Sequence, residues 1–275
     1  MSDSLSRSGA GLQETRKLPS VVSRLWVLSR ATFGRLALVV VLGLGWQWLA
    51  DSGLLNPLFF GAPRGILDRL YDGLIVTGVL LPDIWASIVA TLIAFALGSV
   101  GGIGLGLLFA IFPRGGGFFE PFLTAFNALP RIALAPLFIL WFGLGLPAKI
   151  AVGVSLSIVI LLSSTLAGAR SVDADLLVLA RTLGATPTQV FFRITLPSAV
   201  PTIFSGLRLG LIYSLLGVVS AEIIGSVNGL GVQLTQSAGM FDTNGVFAIL
   251  IILAFLGTVL TWAMNILEKR LLRWR

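Results

Sequence analysis

Ser171–Pro197, SVDADLLVLARTLGATPTQVFFRITLP, decides how the rest of this 275-residue chain is read. It lies between two long apolar runs, is too polar to cross a bilayer, and carries the stop and start signals of two short helices. Asp173 is placed to cap a helix running to Leu183, and Gly184 suits the left-handed residue that ends it. Thr186 then opens a second helix with Pro187 at its first position. Gln189 stands three residues after Thr186, giving the Thr-x-x-Gln pattern of a capping box. Pro197 is expected to discourage simple continuation of that helix. A loop specified in this detail within a membrane chain implies a partner that docks on it.

The surrounding composition is that of a membrane protein. Hydrophobic residues make up 56% of the chain, charged residues 11%, and the mean hydropathy is +0.98. Six apolar segments, near 36–51, 86–112, 119–143, 147–169, 200–225 and 246–267, approach or exceed the roughly 20 residues a spanning helix needs. None alternates apolar and polar residues, which argues against a barrel. The expected class is therefore all-α, a polytopic membrane protein with about six transmembrane helices. The chain divides into a polar tail (1–35), a first span with an outer amphipathic segment (36–85), a core (86–267) containing the 171–197 loop, and a basic C-terminus (268–275). Within the second part, 64–76 has Ile66, Leu67, Leu70 and Leu74 at helical spacing, readable as an interfacial helix or as a plain packing element.

Basic residues set the orientation. If six helices alternate, one side carries Arg7, Arg16, Lys17, Arg24, Arg30, Arg35, Arg114, Arg170, Arg181, Arg193, Lys269, Arg270, Arg273 and Arg275. The other carries only Arg64, Arg69 and Lys149. Both termini and the 171–197 loop are thus expected in the cytoplasm. The net charge of +7 reflects this asymmetry, and no nucleic-acid partner is expected.

The search for chemistry returns no catalytic residue. The chain has no cysteine and no histidine, which removes thiolate and imidazole metal sites and His-based triads. No phosphate-binding loop occurs, no HExxH or GxSxG, and no carboxylate cluster suited to a metal. No cofactor is expected in this chain, and ATP-driven work would need an ATPase on another polypeptide. Gly98, Gly102 and Gly106 recur every four residues and predict close helix packing. Arg131, Arg208 and Glu222 are the ionisable residues expected at membrane depth or its margins, and with Pro130 they are the candidate pathway residues. Arg131 lies in a helix broken by Pro130 and Pro136; it either attracts an anionic solute or is drawn by the kink to a backbone carbonyl or to the membrane interface. Arg208 and Glu222 are about 21 Å apart along one helix and cannot pair within it.

The run VLARTLGATPTQVFFRITLP resembles the cytoplasmic EAA loop of permease subunits from bacterial ABC importers. Ala180, Gly184, Ile194, Leu196 and Pro197 fall on that pattern with the spacing intact, and Ala185 follows the glycine. Val178 stands where the usual Glu would be and Leu179 where the usual Ala would be. PRIALAPLFILWFGLG (130–145), GLRLGLIYSLLGVVSAEIIG (206–225) and Gly-Leu-Gly (229–231) resemble the subfamily that imports nitrate, sulfonates, taurine and related small compounds. The resemblance covers about 60–267. It implies a type I ABC importer permease fold in the bacterial inner membrane, a second permease copy, two ATPase subunits that bind ATP and Mg, and an extracytoplasmic solute-binding protein. It also implies that 171–197 forms the coupling helices. An ion-gradient-driven transporter, in which Glu222 would carry the coupling ion, and a membrane scaffold that recruits a soluble partner are the rival readings.

Overall fold

A computed structural model describes residues 21–112 and 128–272, with further helical positions at 118, 121, 122, 124 and 125; side chains are described from 37 onward. The expected tail up to residue 20, the Arg114 loop, much of the first half of the third span, and Arg273 and Arg275 lie outside them. Contacts divide the chain into two units, Met1–Leu54 and Leu55–Arg275. The first unit contains α1 (Val21–Asp51). It starts well before the span expected at 36, because no proline interrupts the sequence from Val21 onward and arginines are good helix formers.

The second unit is helical throughout its described length. Its elements are α2 (Pro57–Phe60), α3 (Pro63–Tyr71), α4 (Leu80–Ile111), α5 (Ala135–Phe142), α6 (Leu146–Arg170), α7 (Ala174–Thr182), α8 (Pro187–Val190), α9 (Leu196–Ile224), α10 (Leu230–Gly239) and α11 (Thr243–Leu271). Among the described residues, four helices are long and apolar enough to cross a membrane: Leu80–Ile111, Leu146–Arg170, Pro187–Ile224 and Thr243–Leu271. Two shorter apolar helices, Ala37–Asp51 and Arg131–Phe142, coincide with parts of the first and third expected spans. The third span is not one straight helix over its described part. Pro130 precedes a 3₁₀ turn, Arg131–Leu134, before α5 begins, since proline lacks the N–H and clashes with the preceding turn.

Pro197 does not end its helix. A π-helical turn, Phe191–Thr195, joins α8 to α9, and the Leu196 N–H donates to the Phe191 carbonyl five residues back. The wider turn removes the steric conflict, and Pro197 sits in the first turn of α9, where no donor is needed.

The packing core is α4, α6 and α9. Small residues let their backbones meet. A Cβ at Gly102 would lie 2.5 Å from the Ile158 carbonyl oxygen, and one at Gly106 would lie 2.6 Å from the Thr165 Cβ; Gly98 faces Ser157 in the same row. On the other side of α6, a Cβ at Gly217 would lie 2.8 Å from the Gly153 Cα. Any side chain at Gly102 or Gly217 forces helices apart. Ala90, Ala94 and Val218 fill the centre of the three-helix contact.

The 64–76 stretch packs against the core. Ile66 is buried, and Leu70 and Leu74 pack on a cluster of Leu80, Leu230, Ile249, Ile252 and Leu256. Leu67, expected with them, is exposed: it lies one residue after Ile66, about 100° round α3 from that buried side chain. Arg69 pairs with Asp242 at 3.0 Å, tying α3 to the start of α11.

Candidate functional site

The 171–197 loop joins α6 to α9, and its shape is fixed by local bonds. The Asp173 side chain accepts from the Asp175 N–H at 2.9 Å, starting α7. At the other end of α7, the Ala185 N–H donates to the Ala180 carbonyl and the Gly184 N–H to the Arg181 carbonyl, both at 3.0 Å. This pair of bonds is a Schellman motif, and it places Gly184 at φ +79°, where a Cβ is strained. Thr186 and Gln189 exchange both capping-box bonds, with the Thr186 N–H donating to Gln189 Oε1 at 2.9 Å and the Gln189 N–H to Thr186 Oγ1 at 3.3 Å.

These bonds hold an apolar surface open. Val178 is 60% exposed, Leu179 55% and Leu183 78%. Leu176 and Phe192 are exposed beside them, whereas Ala180 and Val190 turn inward and are buried. Exposed leucines along a spanning helix face acyl chains; on a polar loop between spans they mark an interaction surface. Behind the loop lies a cavity of about 680 Å³ whose described lining includes Phe109, Leu166, Arg170, Arg181, Pro187 and Phe191. Ile194, Leu196 and Pro197 are half-buried where α8 runs into α9.

The four candidate pathway residues fall in three places. Arg131 is buried, and its guanidinium donates to the carbonyls of Ser155 (3.2 Å) and Leu156 (3.4 Å) midway along α6. The structure thus places Arg131 against backbone carbonyls of α6, and exposed Pro130 sets the turn that brings it there. Arg208 pairs with Glu268 near the loop end of α11.

Glu222 lies at the opposite end of the bundle in a buried polar cluster. Lys149 Nζ donates to Glu222 Oε1 at 3.1 Å, and to the Asn228 carbonyl and Oδ1 at 2.6 and 2.8 Å. Ser87 Oγ lies 2.9 Å from both Glu222 oxygens and accepts the Leu230 N–H at 3.0 Å. The Gly231 N–H donates to Glu222 Oε2 at 2.9 Å, and the Gly229 N–H to Asp83 Oδ1 at 2.6 Å. Two carboxylates thus face the free N–H groups of the first turn of α10, where negative charge is favoured. Gly229 adopts φ +112°, and a Cβ there or at Gly231 would collide with Glu222. Sequence spacing puts Lys149 at a connection between spans; it is buried because Glu222 supplies the opposite charge. The signal in the sequence is a lone lysine and a lone glutamate, each in an otherwise apolar run. Among the described residues, no group of three or more acidic side chains could hold a metal.

Comparison with known proteins gives this geometry a family. The model described as "Binding-protein-dependent transport system inner membrane component" matches residues 98–273. The chain is 34% identical over 233 residues to the putative aliphatic sulfonates transport permease protein SsuC of Bacillus subtilis (strain 168), covering 84% of this chain and 83% of that protein. It is 31% identical over 254 residues to the taurine transport system permease protein TauC of Escherichia coli (strain K12), covering 90% and 92%. An inward-facing structure of the MetNI methionine ABC transporter superposes with a TM-score of 0.63 at 18% identity, covering 71% of this chain and 97% of that one. An amino acid ABC transporter crystallised with histidines gives 0.59 at 19%, covering 75% and 98%. These two likenesses speak to the fold, that of a type I ABC importer permease. The chain belongs to the family of binding-protein-dependent transport system inner membrane components: it is a multi-pass transport permease subunit of an ABC importer, not an enzyme, and ATP hydrolysis belongs to its partner ATPase.

Proposed function

We propose that the 171–197 loop is the surface on which the ATPase docks, and that the chain works as a homodimer importing a small solute that carries an anionic group, of the sulfonate or taurine type. The observation that carries the docking reading is the exposed Val178–Leu179–Leu183 surface on a helix capped at both ends. Apolar side chains replace the glutamate and alanine usual at the first two positions, so the contact is mainly hydrophobic rather than charge-assisted. ATP and Mg bind to the partner, whose closure pushes on α7 and α8. α6 and α9, continuous with the loop, carry that push through the membrane as a population shift between two arrangements. The Arg and Lys asymmetry puts both termini and the loop in the cytoplasm, where ATP is available.

The substrate class rests on the names of SsuC and TauC and on Arg131. Its guanidinium lies at mid-span beside α6, and a charge at that depth is retained where it serves a pathway. Purification of the tagged chain from its own membranes tests the assembly: two copies of the chain and two ATPase subunits are expected, and a single copy contradicts the homodimer. Arg131→Ala is expected to lower taurine or alkanesulfonate uptake roughly tenfold, the scale of a lost charge-assisted contact, while the ATPase stays bound. Unchanged uptake makes Arg131 a structural residue only.

A further inference from the structure

α6 and α9 are joined twice. At one end the chain joins them through 171–195. At the other, Lys149 in the first turn of α6 meets Glu222 in the last turn of α9, both almost wholly buried. The same carboxylate reaches the first turn of α10 through the Gly231 N–H, and Ser87 of α4 bridges Glu222 to the Leu230 N–H.

A buried ion pair is a poor way to gain stability, because well-packed apolar residues of similar volume do as well or better. What it adds is direction: donors and acceptors meet in one arrangement only. That matters between these two helices. Gly217 and Gly153 bring their backbones together, with Leu156 and Leu161 of α6 seated over Gly217 and Gly210; apolar packing of this kind has no polar partner to fix one arrangement over a shifted one.

We propose that Lys149 and Glu222 are positioning residues of the transport stroke. They lock the far ends of α6 and α9 to each other and to the start of α10, so that displacement of the loop reaches 225–239 instead of being lost as shear. This rests on the reading of the loop as the ATPase dock.

The test uses the complete transporter, reconstituted in liposomes with its ATPase and binding protein, and measures solute taken up per ATP hydrolysed. Lys149→Met leaves Glu222 buried and unpaired, and lowers both the folded yield and the uptake-to-ATP ratio. The double variant Lys149→Met/Glu222→Gln removes both charges of the pair, while Asp83 keeps its bonds to the Gly229 N–H and Gln233. It is expected to recover the yield and melting temperature, yet to keep a ratio about tenfold below that of the wild type, within the usual range of coupling between sites. Ser87→Ala, which removes one hydroxyl, is expected to lower the ratio several-fold with ATP hydrolysis retained, and it decides the matter if Lys149→Met does not accumulate. A double variant or a Ser87→Ala variant that couples as the wild type does overturns the positioning role. A wild-type chain that carries no ATPase overturns the docking reading and, with it, this one.

Discussion

At one end of the α6–α9 pair, leucines stand in the open; at the other, a lysine and a glutamate are sealed away from solvent. Leu183 is 78% exposed, whereas Glu222 is 1% exposed and Lys149 2%. Both arrangements invert the ordinary preference of the residue type. Each is held by bonds that leave little freedom: at the loop end a Schellman motif and a capping box, at the far end the hydrogen bonds that join Lys149, Glu222 and Ser87 to Asn228 and to the first turn of α10. The difference teaches what each end is for. Apolar groups left exposed on a rigid loop are complete only when a partner covers them. Charges buried with all their partners inside one chain need nothing from outside and fix internal geometry. One end receives a force and the other holds an arrangement.

The comparison breaks most readily at Gly184. Gly184→Val places a β-branched residue at φ +79°, a conformation costing about 1–3 kcal/mol. The expected result is a misaligned α7–α8 angle and uptake lowered at least about tenfold, with the ATPase still hydrolysing ATP. Normal uptake by this variant, measured in vesicles against the hydrolysis rate, would show that the loop's shape is not used. Leu179→Asp should act through the surface rather than the shape. The side chain is already exposed, so the melting temperature of the isolated permease should stay within about 1 °C, reflecting the small effect of surface substitutions. Affinity for the ATPase should fall by about 1–2 kcal/mol, the scale of an interface anchor, read as a weaker dissociation constant in detergent. Thr186→Ala removes one half of the capping box and should cost about 1 kcal/mol of local helix stability. That appears as faster amide hydrogen exchange at 187–190, with uptake reduced only a few-fold.

How far these ends are legible in the sequence depends on the range of the bonds that build them. The caps at Asp173, Gly184 and Thr186 use partners two to five residues away, so residue types and spacing suffice to recognise them. The run of apolar spans is equally local. Lys149 and Glu222 are 73 positions apart in sequence, and nothing near either residue names the other. Arg208 and Glu268, 60 apart, pair in the same hidden way. The glycines at 229 and 231 read as a motif, but the reason for them is the bulk of Glu222 brought in from another helix. Pro197 departs from what its residue type suggests because a π turn, a backbone adjustment with no side-chain signature, absorbs the proline and lets the helix run on. Arg131 is readable as a buried charge beside a break, but its carbonyl acceptors on α6 require the packed helices.

The chain contains no cysteine, which opens a direct route to the central claim. Single cysteines at Leu183, on the loop, and at Leu140, an equally exposed apolar residue on α5, can be labelled with a photoactivatable cross-linker in the assembled transporter. The account predicts an adduct with the ATPase from position 183 and none from position 140. No ATPase adduct at 183, or one at 140 in its place, would contradict it.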